Sequence, residues 1–256
     1  MITLDDPRIS QFLFHPRKEE RGYAPAGIPT VTVSGQNHIG GCLHLHPTSE
    51  ILLIFFHGNG EIAADYDDIA SYFTSCGVSF WIVDYRGYGR SSGSPAYPFM
   101  FEDAEAVLND ISRLEQIVGR TFGRVLVMGR SLGSASALYL ASRHAQRLDG
   151  LLLDSPYADG LKLIYRLSGV LVRKEDIAGF VDNIDYMRTV TLPTLIIHGT
   201  IDQIIPLSEA RALIDACGNS GKKLVEIEGA GHNDLMFRSG MIYWESIRLM
   251  TGSLPG

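Results

Sequence analysis

The stretch VLVMGRSLGSASALYLAS, residues 125–142, changes character in its middle. It begins with four apolar residues, which is typical of a buried strand, and it ends in an alanine- and leucine-rich segment whose apolar spacing indicates a helix. Between them lie Gly129, Ser131 and Gly133. Because glycines on either side permit a sharp turn, the stretch predicts a strand–turn–helix unit with Ser131 at the turn.

Short apolar runs alternate with helical stretches from residue 51 onward. Such runs are typical of strands covered on both faces, as in a parallel sheet with crossover helices. The earlier segments TVTVSG and HIGGCLHLHP show alternation and predict an antiparallel start. The sequence therefore predicts an α/β fold in one domain over residues 1–256, with a mostly parallel sheet of about eight strands and helices on both faces. The apolar runs are ILLIFF, VSFWIV, RVLVMG, GLLLDS, PTLIIHG and KKLVEIEG.

Composition narrows the function classes. The 256 residues carry a formal net charge of -7 and no basic run interleaved with aromatics, which argues against a nucleic-acid partner. The three cysteines, Cys42, Cys76 and Cys217, are far apart and odd in number, so they predict buried thiols in a reducing compartment, not disulfides or a metal site. The acidic start MITLDDPRIS and the lack of a long apolar run lead us to expect no signal peptide, no transmembrane segment and a cytoplasmic location. The oligomeric state is left open.

Ser131 is the candidate nucleophile. A serine between a strand and a helix in the pattern G-x-S-x-G is exposed at the turn, and the amino terminus of the helix directs N–H groups at the reaction centre. Serine is also a favoured helix N-cap, so the turn alone leaves a structural role open.

A serine nucleophile needs a general base. Among eight histidines, His232 in GAGHND follows the last predicted strand and is flanked by small residues that allow close approach. His57 and His198 also follow strands, but each precedes a glycine at a position where histidine is more often structural.

The base needs an acid that orients it. Asp202 in HGTIDQIIP follows the penultimate predicted strand, and the order Ser131, Asp202, His232 is that of one known serine-hydrolase arrangement. Asp154 in LLLDSPY is the alternative acid. We prefer Asp202, because its tight loop should hold the carboxylate firmly, and we expect Asp154 to cap the turn beneath the site.

Two backbone N–H groups would stabilise the charge that develops on the substrate carbonyl oxygen. Leu132, directly after the candidate nucleophile, supplies one. The loop His57-Gly58-Asn59-Gly60 follows the first apolar run, and we assign the second donor to the N–H of Asn59. The same loop is also compatible with an ordinary turn into a helix.

Together these motifs resemble the α/β-hydrolase superfamily, and within it the compact serine hydrolases that include eukaryotic α/β-hydrolase-domain proteins and protein depalmitoylases. The resemblance runs from about residue 12 to the last helix. It implies Ser131 as nucleophile, Asp202 as acid and His232 as base, with Asn59 and Leu132 at the oxyanion hole. The motifs that carry it are FFHGNGE, VDYRGYGRSSGSP, MGRSLGS, HGTIDQIIP and GAGHND.

Specificity is expected to lie in residues 155–190, which predict a small helical cap. Several leucines and an isoleucine there either line an acyl pocket or pack a helix against the sheet; they are Leu161, Leu163, Ile164, Leu167 and Leu171. We interpret the loop VDYRGYGRSSG as structural. The alternative is that Tyr85 or Arg86 in this loop contacts substrate. Arg130 either favours an anionic substrate or pairs with a carboxylate, and the latter is our prediction.

The predicted function is a serine hydrolase without metal or cofactor, acting on a small-molecule carboxylic ester or thioester through an acyl-enzyme. Amide hydrolysis or acyl transfer to an alcohol on the same triad is the alternative. A non-catalytic binding protein with the same fold is the alternative from another class.

Overall fold

The computed structural model describes residues 7–20, 31–33, 36–169, 171–177 and 180–253. Its strands are β1 (Val31–Thr32), β2 (His38–Ile39), β3 (Gly41–His44), β4 (Ile51–Phe56), β5 (Ser79–Val83), β6 (Arg124–Arg130), β7 (Gly150–Asp154), β8 (Thr194–Gly199) and β9 (Lys222–Ile227). Seven of them form one sheet in the order β3-β5-β4-β6-β7-β8-β9. Strand β3 pairs antiparallel with β5, and every other pairing in this sheet is parallel.

The mostly parallel α/β architecture is confirmed, and the strand count differs slightly from about eight. The described residues give a seven-stranded sheet because β1 and β2 pair with each other in a separate two-stranded ribbon. The break between β2 and β3 falls at Gly40, where an added Cβ would lie 2.7 Å from the Cβ of Arg90. Residues 30, 34 and 35 of the predicted TVTVSG strand lie outside the described residues.

Helices cover both faces of the sheet, as crossover connections between parallel strands require. They are α1 (Pro7–Leu13), α2 (Ala70–Ser75), α3 (Tyr97–Asn109), α4 (Ile111–Val118), α5 (Ser134–Arg143), α6 (Gly160–Ser168), α7 (Asn183–Met187), α8 (Leu207–Ala216), α9 (Leu235–Arg238) and α10 (Ile242–Ser253). No helix among the described residues combines the length and the apolar character needed to cross a bilayer.

The core has two layers, one on each side of the sheet, because successive side chains of a strand point to opposite faces. Strand β4 shows this division. Leu52, Ile54 and Phe56 join the layer that α3, α5 and α8 cover, whereas Leu53 and Phe55 join the layer under α2 and α10. Each such buried side chain contributes about 1.5–3 kcal/mol relative to an exposed one. This double burial explains why the central strands are continuously apolar.

The predicted cap between β7 and β8 contains α6, a 3-10 turn at Lys174–Asp176 and α7. Asp159 caps α6 by accepting the N–H of Lys162 at 2.9 Å, and Gly169, with φ +69°, ends the helix. Helix α6 contacts α1. Residues 170, 178 and 179 of the cap lie outside the described residues. The assignment of residues 1–256 to one domain stays a prediction.

Candidate active site

Ser131 lies at a strained turn between β6 and α5. Its φ is +50°, in the left-handed region that non-glycine residues rarely adopt. A Cβ at Gly129 would lie 2.8 Å from the Cα of Ser134, and one at Gly133 would lie 2.7 Å from the carbonyl carbon of Phe56. A side chain at either position would therefore clash with the backbone. The two glycines allow the strand and the helix to meet with the serine at the turn.

Gly133→Ala is expected to lower the free energy of unfolding by about 1–3 kcal/mol, since the added methyl overlaps the backbone of β4. The φ of Gly133 is -63°, which alanine adopts freely, so the cost is purely steric. Gly252→Ala is the matched control, because no atom lies within 4 Å of a Cβ there. Urea denaturation of both variants measures the difference. A Gly133→Ala protein as stable as Gly252→Ala would contradict the close contact.

His232 is brought to this turn by the loop after β9. Its Nε2 lies 2.9 Å from the Oγ of Ser131, and its Nδ1 lies 2.7 Å from the Oδ2 of Asp202. The loop reverses direction at Gly229, which has φ +70°, and it is fastened where the N–H of Gly231 donates to Asp234 Oδ1 at 2.6 Å. The imidazole is buried, so little water competes for its two contacts.

Asp202 is held by its own loop after β8. Its Oδ1 accepts the N–H groups of Ile204 at 2.9 Å and Ile205 at 2.8 Å, which leaves Oδ2 for His232. Burial opposes ionisation of Asp202, but its hydrogen bonds and its attraction to His232 outweigh burial and lower the pKa of the carboxyl below its ordinary value. The group is therefore a carboxylate at neutral pH, able to stabilise a charged imidazole.

Of the other strand-end histidines, His198 and His57 both have structural contacts. The Nε2 of His198 lies 2.8 Å from the carbonyl oxygen of Ile205, and burial lowers the pKa of this histidine. The Nδ1 of His57 lies 2.8 Å from the carbonyl oxygen of Gly58. Neither lines the cleft above Ser131.

The carboxylate of Asp154 contacts side chains other than His232. Its Oδ1 accepts the hydroxyl of Ser155 and its Oδ2 accepts that of Tyr243, both at 2.8 Å, while the Nε of Arg130 lies 4.0 Å away. The carboxylate is fully buried beneath the site. The structure thus brings Asp202, and not Asp154, to the imidazole of His232.

A cleft of ≈ 180 Å³ opens above Ser131, and the two candidate oxyanion donors, Asn59 and Leu132, line it. The side chain of Asn59 is anchored, because its Oδ1 accepts the N–H of His15 at 2.9 Å and the hydroxyl of Tyr88 at 2.7 Å. These bonds fix the loop that carries the Asn59 N–H at the carboxyl end of β4.

The carboxyl end of α1 and the residues that follow it also form part of the cleft, which the sequence did not reveal. Leu13 and His15 line it together with Leu163 and Leu167 of α6. The three apolar residues that begin FLFHPR were the available signal, but they do not follow a predicted strand.

Two roles were left open for the leucines and the isoleucine of the predicted cap. Leu163 and Leu167 line the cleft, Leu163 and Ile164 are buried in the core, and Leu161 is half-buried against it. Leu171 is 76% exposed and does neither.

The loop VDYRGYGRSSG is structural, as predicted. The hydroxyl of Tyr85 donates to the carbonyl of His57 at 2.7 Å, and the guanidinium of Arg86 is buried against Asp103, with Nη2 to Oδ1 at 2.6 Å. Arg86 also lies over the ring of Phe99, 4.0 Å from its centroid. Neither Tyr85 nor Arg86 lines the cleft.

The prediction of buried thiols is confirmed, since Cys42, Cys76 and Cys217 are buried and form no disulfide. Burial raises the pKa of Cys42 to about 12 and that of Cys76 to about 11, so neither is an ionised nucleophile at neutral pH. In the part of the chain that the structure describes, no group of three or more His, Cys, Asp or Glu is arranged to hold a metal ion.

Comparison with known proteins identifies the family of this chain. A family model described as "Serine aminopeptidase, S33" matches residues 47–174. Alpha/beta hydrolase domain-containing protein 17C of Xenopus laevis is 33% identical over 201 residues, covering 76% of this chain and 60% of that protein. An uncharacterized membrane protein of Saccharomyces cerevisiae is 30% identical over 230 residues, which cover 87% of this chain and 79% of the yeast protein.

Among solved structures, the esterase Pf2001 of Pyrococcus furiosus superimposes with a TM-score of 0.76 at 16% identity, over 94% of this chain and 99% of that one. At this identity the likeness shows the fold alone. The chain spans about 60% of the length of the Xenopus relative. The chain therefore belongs to the α/β-hydrolase superfamily, in the branch of the α/β-hydrolase-domain proteins.

Proposed function

We propose that this protein is a serine hydrolase that cleaves carboxylic esters or thioesters through an acyl-enzyme, with Ser131, His232 and Asp202 as catalytic triad. One observation carries the proposal: His232 contacts the hydroxyl of Ser131 at 2.9 Å and the carboxylate of Asp202 at 2.7 Å. A base within hydrogen-bond distance of the nucleophile, itself oriented by an acid, is the arrangement that activates a serine.

The proton transfers follow from these contacts. With its Nδ1–H donated to Asp202, the imidazole of His232 presents a free Nε2 that takes the Ser131 proton as Oγ attacks the acyl carbon. The imidazolium then protonates the departing alcohol or thiol, which leaves the acyl group on Ser131. Water attacks this acyl-enzyme, gives its proton to Nε2 and releases the acid, and the Ser131 hydroxyl regains the proton.

The oxyanion of each tetrahedral intermediate would be bound by the N–H groups of Asn59 and Leu132. Both residues line the cleft that contains Ser131. One such donor is worth about 2.7–4 kcal/mol of transition-state stabilisation. The anchored side chain of Asn59 supports this assignment, because a donor stabilises the transition state best when it is held in place beforehand.

The lining of the cleft favours esters over peptides, the alternative suggested by the description of the matching family model. An aminopeptidase must bind the α-ammonium group of its substrate, for which a carboxylate is the matching partner. The described residues that line the cleft include no Asp or Glu. Its wall is instead apolar at Leu13, Leu163, Leu167 and Ile204, which suits an acyl chain.

A cytoplasmic location is also part of the proposal. The buried, unpaired thiols of Cys42, Cys76 and Cys217 support it, since free cysteines are typical of reducing compartments.

Fluorophosphonate labelling combined with a substrate panel tests the proposal. We expect one probe per chain, located at Ser131 by peptide mass spectrometry, and turnover of p-nitrophenyl esters and acyl thioesters of graded chain length. Aminoacyl p-nitroanilides should be poor substrates. Faster cleavage of the anilides would establish a peptidase, and product that appears only with an added alcohol would establish an acyltransferase. Absence of both labelling and turnover would leave a binding protein of this fold.

A further inference from the structure

A buried ion pair joins three of the segments that surround the proposed triad. Arg130, the last residue of β6, directly precedes Ser131, and its Nη1 contacts the Oε1 of Glu61. Its Nη2 donates to the carbonyl oxygen of His232 at 2.7 Å and to Asn233 Oδ1 at 3.2 Å. Its side chain is only 9% exposed. One guanidinium therefore contacts the loop that carries the histidine.

Glu61 links this guanidinium to the loop of the proposed oxyanion donor. Its Oε2 accepts the N–H of Gly58 at 2.7 Å, next to Asn59, and the hydroxyl of Tyr66 at 2.6 Å. The segments after β4 and β9 are thus connected through Arg130, whose own main chain leads into the nucleophile turn. The neighbouring carboxylate of Asp154, 4.0 Å from Nε, completes the polar surroundings of Arg130.

Both members of the pair are ionised. Burial alone would raise the pKa of Glu61, but the attraction of Arg130 and the hydrogen bond from Tyr66 outweigh burial and lower this pKa. The guanidinium charge is therefore matched by a carboxylate, and two further N–H donors, both on Nη2, bind the carbonyl oxygen of His232 and the side chain of Asn233. This bonding makes Arg130 a poor receptor for an anionic substrate, although it lines the cleft.

We infer that Arg130, held by Glu61, is a positioning residue that sets the imidazole of His232 at its distance from the hydroxyl of Ser131. The inference rests on the proposed function. The planar guanidinium suits this role, since it donates to Glu61 and to the carbonyl of His232 from different nitrogens, which one ammonium cannot reproduce in the same geometry. A shift of about 1 Å in a reacting group costs on the order of 10²-fold in rate.

The test compares variants that remove the guanidinium with and without its counter-charge. Arg130→Ala is expected to lower kcat for a p-nitrophenyl ester about 10²-fold with little change in KM, because the acyl pocket is intact while the imidazole loses its support. Guanidinium chloride at millimolar concentration should restore part of kcat in Arg130→Ala, and sodium chloride at equal ionic strength should not. Arg130→Lys should be slower than the wild type despite its charge.

Loss of one partner leaves a buried charge unpaired and can prevent folding. The double variant Arg130→Met/Glu61→Gln removes both charges at nearly constant volume, and we expect it to fold while its kcat stays low. The control is Arg86→Met/Asp103→Asn, which removes another buried arginine–carboxylate pair away from the cleft. Its thermal midpoint should fall while its kcat stays near that of the wild type.

The outcomes separate this inference from the proposed function. Wild-type protein that neither labels with fluorophosphonate nor hydrolyses esters would defeat the proposed function itself. If the wild type is active and the folded Arg130→Met/Glu61→Gln protein keeps its kcat, the positioning role is wrong. A rise in KM confined to anionic esters, at unchanged kcat, would show instead that Arg130 binds substrate.

Discussion

Ser131→Ala is expected to lower kcat for ester hydrolysis by about 10⁶-fold, the scale on which a serine hydrolase loses rate when its nucleophile is removed. The Oγ of Ser131 is the atom that bonds to the acyl carbon, so no neighbouring group can replace it. Fluorophosphonate labelling should disappear together with turnover. The measurement is single-turnover and steady-state hydrolysis of a p-nitrophenyl ester, with circular dichroism to establish that the variant is folded.

Ser155→Ala is a matched control for this variant. Ser155 also follows a strand of the sheet, is buried and has a positive φ of 48°, but its hydroxyl donates to Asp154 at 2.8 Å. It should retain labelling and turnover. Persistent ester turnover in Ser131→Ala would refute the acyl-enzyme mechanism and leave the fold assignment unaffected.

Asp202→Asn is expected to lower kcat by about 10⁴-fold, because an amide in place of the carboxylate no longer fixes the tautomer of His232. Oδ1 already accepts two N–H groups, from Ile204 and Ile205, so the amide oxygen of asparagine will take that position. Its NH₂ group then faces Nδ1 and donates to it. The imidazole must carry its proton on Nε2, where it cannot accept the proton of Ser131.

Asp154→Asn separates the two carboxylates that the sequence offers as acids. Asp154 binds the hydroxyls of Ser155 and Tyr243, so its variant should lose stability and keep a kcat close to that of the wild type. Ester hydrolysis over a range of pH and urea denaturation measure the two effects. If Asp154→Asn were the slow variant and Asp202→Asn the active one, the acid would have to be reassigned.

Local patterns predicted the fold because they report burial directly. The continuous apolar run Ile51–Phe56 indicated a strand covered on both faces, and all six of its residues are buried. The separation of β1 and β2 into their own ribbon left no local signal, since pairing partners depend on where the chain goes after the break at Gly40. The sequence therefore predicted where strands form, but it did not predict which sheet each strand joins.

The sequence by itself determined that Ser131 lies at a turn between a strand and a helix and that Asp154, Asp202 and His232 follow other strands, because strand ends and small residues are local features. Their catalytic roles remain proposals. Only the tertiary structure decided which aspartate meets His232, which carboxylate pairs with Arg130, and that Leu13 and His15 line the cleft. These contacts join residues tens of positions apart, and loop conformations and packing fix them within fractions of an ångström, which apolar periodicity does not encode.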